Sequence, residues 1–229
     1  MGDLQRLEDE ITACRRCPRL VAWREQVAEE RRASFRDEEY WGRPVPGFGD
    51  PAARLMVLGL APAAHGANRT GRVFTGDRSG DWLYAALWRS GYANQPTSRS
   101  RDDGLELRGC WVSAAVRCAP PANKPLPAER DACAPYLARE VALLPGVTVV
   151  IALGRFAWDV AWSLLAAGSR PRPPFAHLAE AALPPAAAGR PRTLLGSFHP
   201  SQQNTFTGRL TEPMFDAVFA RARALGTGL

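Results

Sequence analysis

Four short apolar runs, each followed by a stretch with helical spacing, limit the fold of this 229-residue chain more than any other feature. The clearest is VTVVIALG at 147–154, almost wholly apolar, as a strand covered on both faces must be. RLMVLGL (54–60), CWVSAAV (110–116) and RTLLGSFHPS (192–201) supply three more strands, the last running on into a loop. Helical spacing follows at 79–91, closing on Gly91 as a C-terminal cap. It recurs at 128–144, opened by Pro127, at 155–168, ending at Gly168, and at 212–225. Strand and helix alternate, so the expected fold is α/β: a single-domain α/β/α sandwich around a mostly parallel four-stranded sheet. The domain is expected to span 1–229, with an N-terminal helical segment over 3–32 interrupted around Pro18. Residues 169–191, rich in Pro and Ala, read as an irregular loop, and no internal repeat is present.

Sheets of this kind bind ligands beyond the carboxyl ends of their strands. Three loops with unusual chemistry leave those ends, at 61–77, 117–127 and 197–208. No run of about twenty apolar residues is present to span a membrane. The polar opening MGDLQRLEDE is not a secretory signal, so a cytoplasmic protein is expected. Lys and Arg number 29 against 23 Asp and Glu, a surplus of +6. That surplus points to an anionic partner, most simply nucleic acid, or else to a solvated surface. Lys124 is the sole lysine, so the positive charge is almost all guanidinium, which suits bidentate phosphate contact.

The five cysteines are Cys14, Cys17, Cys110, Cys118 and Cys133. In a cytoplasmic chain they argue against a disulfide framework. Cys14 and Cys17 form a C-x-x-C pair, but no strand precedes them, unlike a thioredoxin-type dithiol. With Cys118 and Cys133 they could hold Zn²⁺ or a four-iron cluster, or remain buried thiols, and spacing leaves these open. Cys110 begins an apolar strand and reads as a core thiol.

The loop GLAPAAHGANRTGRVFTGD offers glycines for close backbone approach and successive amides to cradle an oxygen anion. Phe74 is expected to be an exposed aromatic that stacks on a flat base, or else to pack on the core. Asp77 sits where it can cap the next helix and also carry a catalytic carboxylate. His65 fits either a structural place or the pocket wall. In GSFHPSQQNT, Ser197, Ser201, Gln202, Gln203 and Asn204 can donate to phosphate oxygens. His199 is placed to stabilise charge on a leaving group.

Together these residues resemble the uracil-DNA glycosylase superfamily, and within it the iron–sulfur-containing family 5, type b. The likeness covers nearly the whole chain and rests on GLAPAAHGANRTGRVFTGD, VRCAPPANKP, GSFHPS and the four cysteines. It implies that Cys14, Cys17, Cys118 and Cys133 bind a structural [4Fe-4S] cluster rather than zinc. Phe74 would stack on an extruded base, and the backbone around Ala61, Pro62, Ala63 and Ala64 would contact a base carbonyl. His199 would face uracil O2, Asp77 would position the hydrolytic water, and the segment after His199 would enter the minor groove. Ser197, Ser201, Gln202 and Lys124 would contact DNA. The chain departs from the pattern twice. APAA carries no polar side chain where better-known members place an acid or amide on the water. Ser113 stands where other iron–sulfur members carry an Asn that reads the base, and Asn123 could contribute instead.

The implied activity is monofunctional hydrolysis of uracil, and of hypoxanthine and related deaminated bases, from double- and single-stranded DNA by a monomer. A lyase would need an amine nucleophile, for which Lys124 is the sole lysine and is more simply a phosphate contact. The alternative from another class is a non-catalytic iron–sulfur module that recognises damaged or single-stranded DNA. An electron carrier leaves the glycine-rich loop unexplained.

Overall fold

The computed structural model describes residues 2–166, 169, 171–184 and 191–227. The N-terminal segment is two helices, α1 (Asp3–Thr12) and α2 (Pro18–Glu30), parted at Pro18, which takes the first helical position where no amide is needed. The strands are β1 (Phe48–Gly49), β2 (Leu55–Gly59), β3 (Cys110–Ala114), β4 (Val149–Leu153), β5 (Glu180–Ala182) and β6 (Thr193–Ser197). The remaining α-helices are α3 (Ala67–Thr70), α4 (Arg78–Arg89), α5 (Pro127–Ala142), α6 (Arg155–Leu165), α7 (Gln202–Phe206) and α8 (Glu212–Thr227). Gly168, the expected end of the 155–168 helix, lies outside the described residues, and α6 closes at Leu165. Gly91 does cap α4: its φ is +77°, and its amide and that of Tyr92 return to Trp88 and Leu87. Among the described residues no helix is long and apolar enough to cross a membrane.

The sheet has six strands, not four, in the order β1-β3-β2-β4-β6-β5. The four expected strands form its parallel centre, and β1 and β5 add an antiparallel edge on either side. Both edge strands are two or three residues long, too short to show an alternating pattern, and β5 lies within the stretch expected to be irregular. In the centre, side chains alternate between two cores, as a pleat requires. Leu55, Val57, Val112, Val149, Ile151 and Leu195 face α4 and α8, while Met56, Leu58, Trp111, Val150 and Ala152 face α5 and α6. Leu7 and Ile11 of α1 bury against Tyr136 of α5.

β2 lies between β3 and β4, so the chain leaves β2 toward one side and later returns to the other. That reversal opens a crevice at the carboxyl ends of the central strands, where the three loops converge.

Candidate active site

One cavity of about 500 Å³ occupies this crevice, within the range of small-molecule sites. Its wall includes Ala61, Ala63, Phe74, Asp77, Asn123 and His199, with Ser201 and Gln202 at its mouth. Two other clefts, of about 540 and 710 Å³, lie against α1, and neither contains any of the expected catalytic residues.

Of the two readings of Phe74, exposed or packed on the core, the packed one holds. Phe74 is only 9% accessible, because a left-handed backbone (φ +53°) folds its ring inward onto Gly59 at the end of β2. A Cβ on Gly59 would sit 2.5 Å from Phe74 Cζ, so glycine is what lets the ring lie there. The Phe74 and His199 rings lie 6.0 Å apart, tilted by 33°. The amides of Ala61, Ala63 and Ala64 donate to no backbone or side-chain acceptor among the described residues, although Ala64 and Pro62 fall outside the cavity lining. Free amides at a pocket wall are donors available to an incoming carbonyl or anion.

Asp77 caps α4, its Oδ1 accepting the Gly80 amide at 3.0 Å, and also faces the cavity. Its carboxyl is pushed above the ordinary value, chiefly by burial and against the pull of the Gly80 and Ser79 amides. Burial holds the His199 imidazole down at about 4, so it is neutral near pH 7. Neither ring nitrogen has a hydrogen-bond partner among the described residues, while its carbonyl accepts from Asn204 Nδ2 at 2.8 Å. Hence His199 can offer a neutral N–H to a developing anion.

Two expected residues belong elsewhere. Ser113 does not read a base: it is fully buried on the α5 face of β3, where its hydroxyl donates to Glu140 Oε2 at 2.5 Å. Arg117 completes that buried network. Strand parity dictates this, since Ser113 shares a face with Trp111 rather than with Val112. Ser197 does not reach DNA either: it is fully buried at the end of β6, its hydroxyl turned onto the Phe198 carbonyl at 3.0 Å. Asn123 does line the cavity, on a turn where it and Ala122 both adopt positive φ. Lys124 beside it is exposed, with no carboxylate partner among the described residues, and its carbonyl accepts from Arg19 at 3.2 Å.

His65 is structural, its Nδ1 paired with the Tyr40 hydroxyl at 3.1 Å outside the cavity lining. Sequence reasoning missed Arg78 and Ser79, which line the cavity, and Phe206, which is 66% exposed with the Arg78 guanidinium 4.8 Å from its ring centre. An exposed aromatic in a run of polar residues, QQNTF, was the available signal for Phe206.

Away from this site, Cys14, Cys17, Cys118 and Cys133 line one small apolar cavity with Leu20, Val21 and Pro44. No three or more Cys, His, Asp or Glu among the described residues are grouped so as to hold a metal ion. A single zinc needs its sulfurs about 2.3 Å from one point. A four-iron cluster is held by four Cys thiolates, the residue type that this cavity brings together. Arg24 adds a chemical test of fit. It is 2% exposed, donates to Cys118 Sγ at 3.0 Å and to the Cys14 carbonyl at 3.2 Å, and leaves its Nε without a partner. Its nearest carboxylate, Glu25, is 3.7 Å away. A buried cation of this kind is stabilised by an anionic group beside it, and a thiolate-ligated cluster is one. Cys110 is fully buried in the core, as expected.

The family model described as uracil DNA glycosylase superfamily matches residues 46–223. The chain is 54% identical over 217 residues to the Type-5 uracil-DNA glycosylase of Thermus thermophilus, covering 94% of each protein. It is 53% identical over 225 residues to the enzyme of the same name in Mycobacterium bovis, covering 98% of this chain and 82% of that one. Against the Type-5 enzyme of Pyrobaculum aerophilum it is 45% identical over 215 residues, covering 93% and 89%.

Proposed function

The chain belongs to the uracil DNA glycosylase superfamily and is a DNA glycosylase that hydrolyses N-glycosidic bonds, and on that premise we propose that it removes uracil and other carbonyl-bearing deaminated bases through the cavity at the β2 and β6 ends. A non-catalytic binding module is thereby set aside. The observation that carries this reading is the pairing of Phe74 with a neutral His199 beside the free amides of Ala61 and Ala63. A nucleotide turned out of the duplex lies with its base on the Phe74 face and its rim toward His199, at an unstacking cost of a few kcal/mol. Deamination converts an exocyclic amine into a carbonyl. Amide donors favour the carbonyl and disfavour the amine, which supports hypoxanthine as well as uracil as a substrate. Asn123 adds a donor and acceptor at the wall.

The bond between C1′ and the base nitrogen breaks with its electron pair leaving on the base. The free amides and the His199 N–H stabilise that anion, each by about 2–4 kcal/mol. Water held by Asp77 attacks C1′, and its proton passes to the carboxylate, giving free base and an abasic site. No lysine lines the cavity, and Lys124 stands exposed beyond it, which supports a monofunctional hydrolase. Ser201 and Gln202 at the mouth and Lys124 beyond it contact phosphates, and Phe206 fills the gap left in the duplex.

The four-cysteine cavity would hold a [4Fe-4S] cluster, which would supply a structural cross-link between the N-terminal helices and the loop after β3. Cys14, Cys17, Cys118 and Cys133 are its ligands, with Arg24 offsetting its charge. The proposed working form is a monomer acting on DNA in the cytoplasm.

Single-turnover cleavage tests the reading. Uracil and hypoxanthine oligonucleotides, duplex and single-stranded, are expected to yield alkali-sensitive sites, with no borohydride-trapped protein adduct. Loss of hypoxanthine release would narrow the substrate class, and a trapped adduct would overturn the hydrolytic route. Freshly purified protein is expected to be brown, with about four irons per chain.

A further inference from the structure

His177 has no place in the chemistry above, yet among the described residues it is the side chain that accepts the amide of the residue before His199, whose carbonyl takes the Ser197 hydroxyl. It lies on the strap that leads into β5. Its Nδ1 accepts the Phe198 amide at 3.2 Å, and its Nε2 lies 3.2 Å from the Met214 carbonyl at the start of α8. The amide can only donate and the carbonyl can only accept. Nδ1 must therefore carry the lone pair and Nε2 the hydrogen, which fixes one neutral tautomer. The two rings also pack, with centres 5.1 Å apart and a 30° tilt. Phe175 meets the Phe198 ring edge-on at 6.3 Å, and the Arg209 guanidinium lies 4.8 Å from its centre.

By contrast, the His199 imidazole has no hydrogen bond among the described residues, so its aim depends on the backbone that carries it. That backbone is held by the Gly154 amide on the Ser197 carbonyl at 2.8 Å, by Asn204 on the His199 carbonyl, and by His177 on the Phe198 amide. We propose that His177 is a positioning residue: it clamps Phe198 and so sets the direction of the His199 N–H toward the departing base. The inference rests on the proposed role of His199.

Its test compares His177→Phe, which keeps a ring but loses both hydrogen bonds, with His177→Asn, whose Oδ1 can replace Nδ1 as acceptor. His177→Phe is expected to lower the single-turnover rate on a uracil duplex by about 10- to 100-fold, the scale of a small misplacement. Binding of a non-cleavable 2′-fluoro-deoxyuridine duplex is expected to stay within about threefold. His177→Asn is expected to recover most of the rate. Combined with His199→Ala, His177→Phe is expected to cost nothing more, since it acts only through His199. Equal loss in both His177 variants, parallel loss of binding, or independent losses in the double variant would overturn the proposal. A normal rate for His199→Ala would instead overturn the role of His199 itself. Should His177→Phe fail to fold, the nitrogen shifts of labelled histidine in the unmodified protein decide: an Nδ1–H tautomer or a cationic His177 at neutral pH refutes the clamp.

Discussion

Gly66→Ala removes nothing from the cavity, yet it is expected to disable Asp77. Gly66 directly precedes α3, with its backbone facing the Asp77 carboxyl. A Cβ built there falls 2.9 Å from Asp77 Cγ and 3.0 Å from Asp77 Cβ, and closer still to Oδ2, where ordinary contact begins at 3.4 Å. The carboxyl must therefore retreat by about half an ångström at Cγ and further at its oxygen. Misplacement on the order of 1 Å costs about 100-fold in rate, so the variant is expected to lose about 10- to 100-fold. The same shift strains the cap on Gly80, worth about 1 kcal/mol, or about 3 °C in Tm for a chain of this size. Single-turnover release of uracil measures the first effect and thermal unfolding the second. Because the methyl acts through Asp77, Gly66→Ala combined with Asp77→Ala is expected to be no slower than Asp77→Ala alone. A Gly66→Ala enzyme within about threefold of the parent, beside a crippled Asp77→Ala, would refute the claim that carboxylate placement matters.

The pH dependence of kcat/KM carries a second expectation. Burial raises the Asp77 carboxyl above its ordinary value and lowers His199 to about 4, so activity is expected to fall on the acid side as both groups take protons, with no limb from His199 near pH 6.5. Because the folded pKa of Asp77 exceeds its unfolded value, its charge costs stability once the pH rises through that window. Asp77→Asn, which keeps a capping side chain, is expected to hold or raise Tm while losing about 100-fold in rate, as calorimetry and single-turnover assays would show. Glu140→Ala strands the buried Arg117 guanidinium and is expected to cost about 3–5 kcal/mol, read as a fall of about 10 °C in Tm. Ser113→Ala costs about 1 kcal/mol and leaves the uracil-to-hypoxanthine rate ratio unchanged. Phe206→Ala is expected to weaken cleavage of duplex DNA by about 10-fold and of single-stranded DNA hardly at all, since only a duplex leaves a gap to fill.

The parallel centre of the sheet was legible because each strand carries a full apolar run, and the edges were not because two or three residues carry no period. The loops that build the site could be named from strand ends alone. What their side chains do depended on backbone facts that the residue string does not announce. A left-handed Phe74 turns a base-stacking ring from an exposed loop residue into a cavity wall. Strand parity, which is legible, puts Ser113 on the α5 face with Trp111, against the base-reading place that the family resemblance implied. His177 sat in a Pro/Ala-rich stretch read as irregular, and only the pairing of β5 with β6 brings that stretch beside His199.

The docking of α1 on α5 has a consequence for synthesis. Leu7 and Ile11 are synthesised well before Tyr136, part of the surface that covers them and well over a hundred residues further along. The Arg139–Glu10 pair that fastens the two helices waits equally long. Until then Leu7 and Ile11 lack their α5 partner, so a nascent protein halted before α5 is expected to expose an apolar stripe that one halted after it covers.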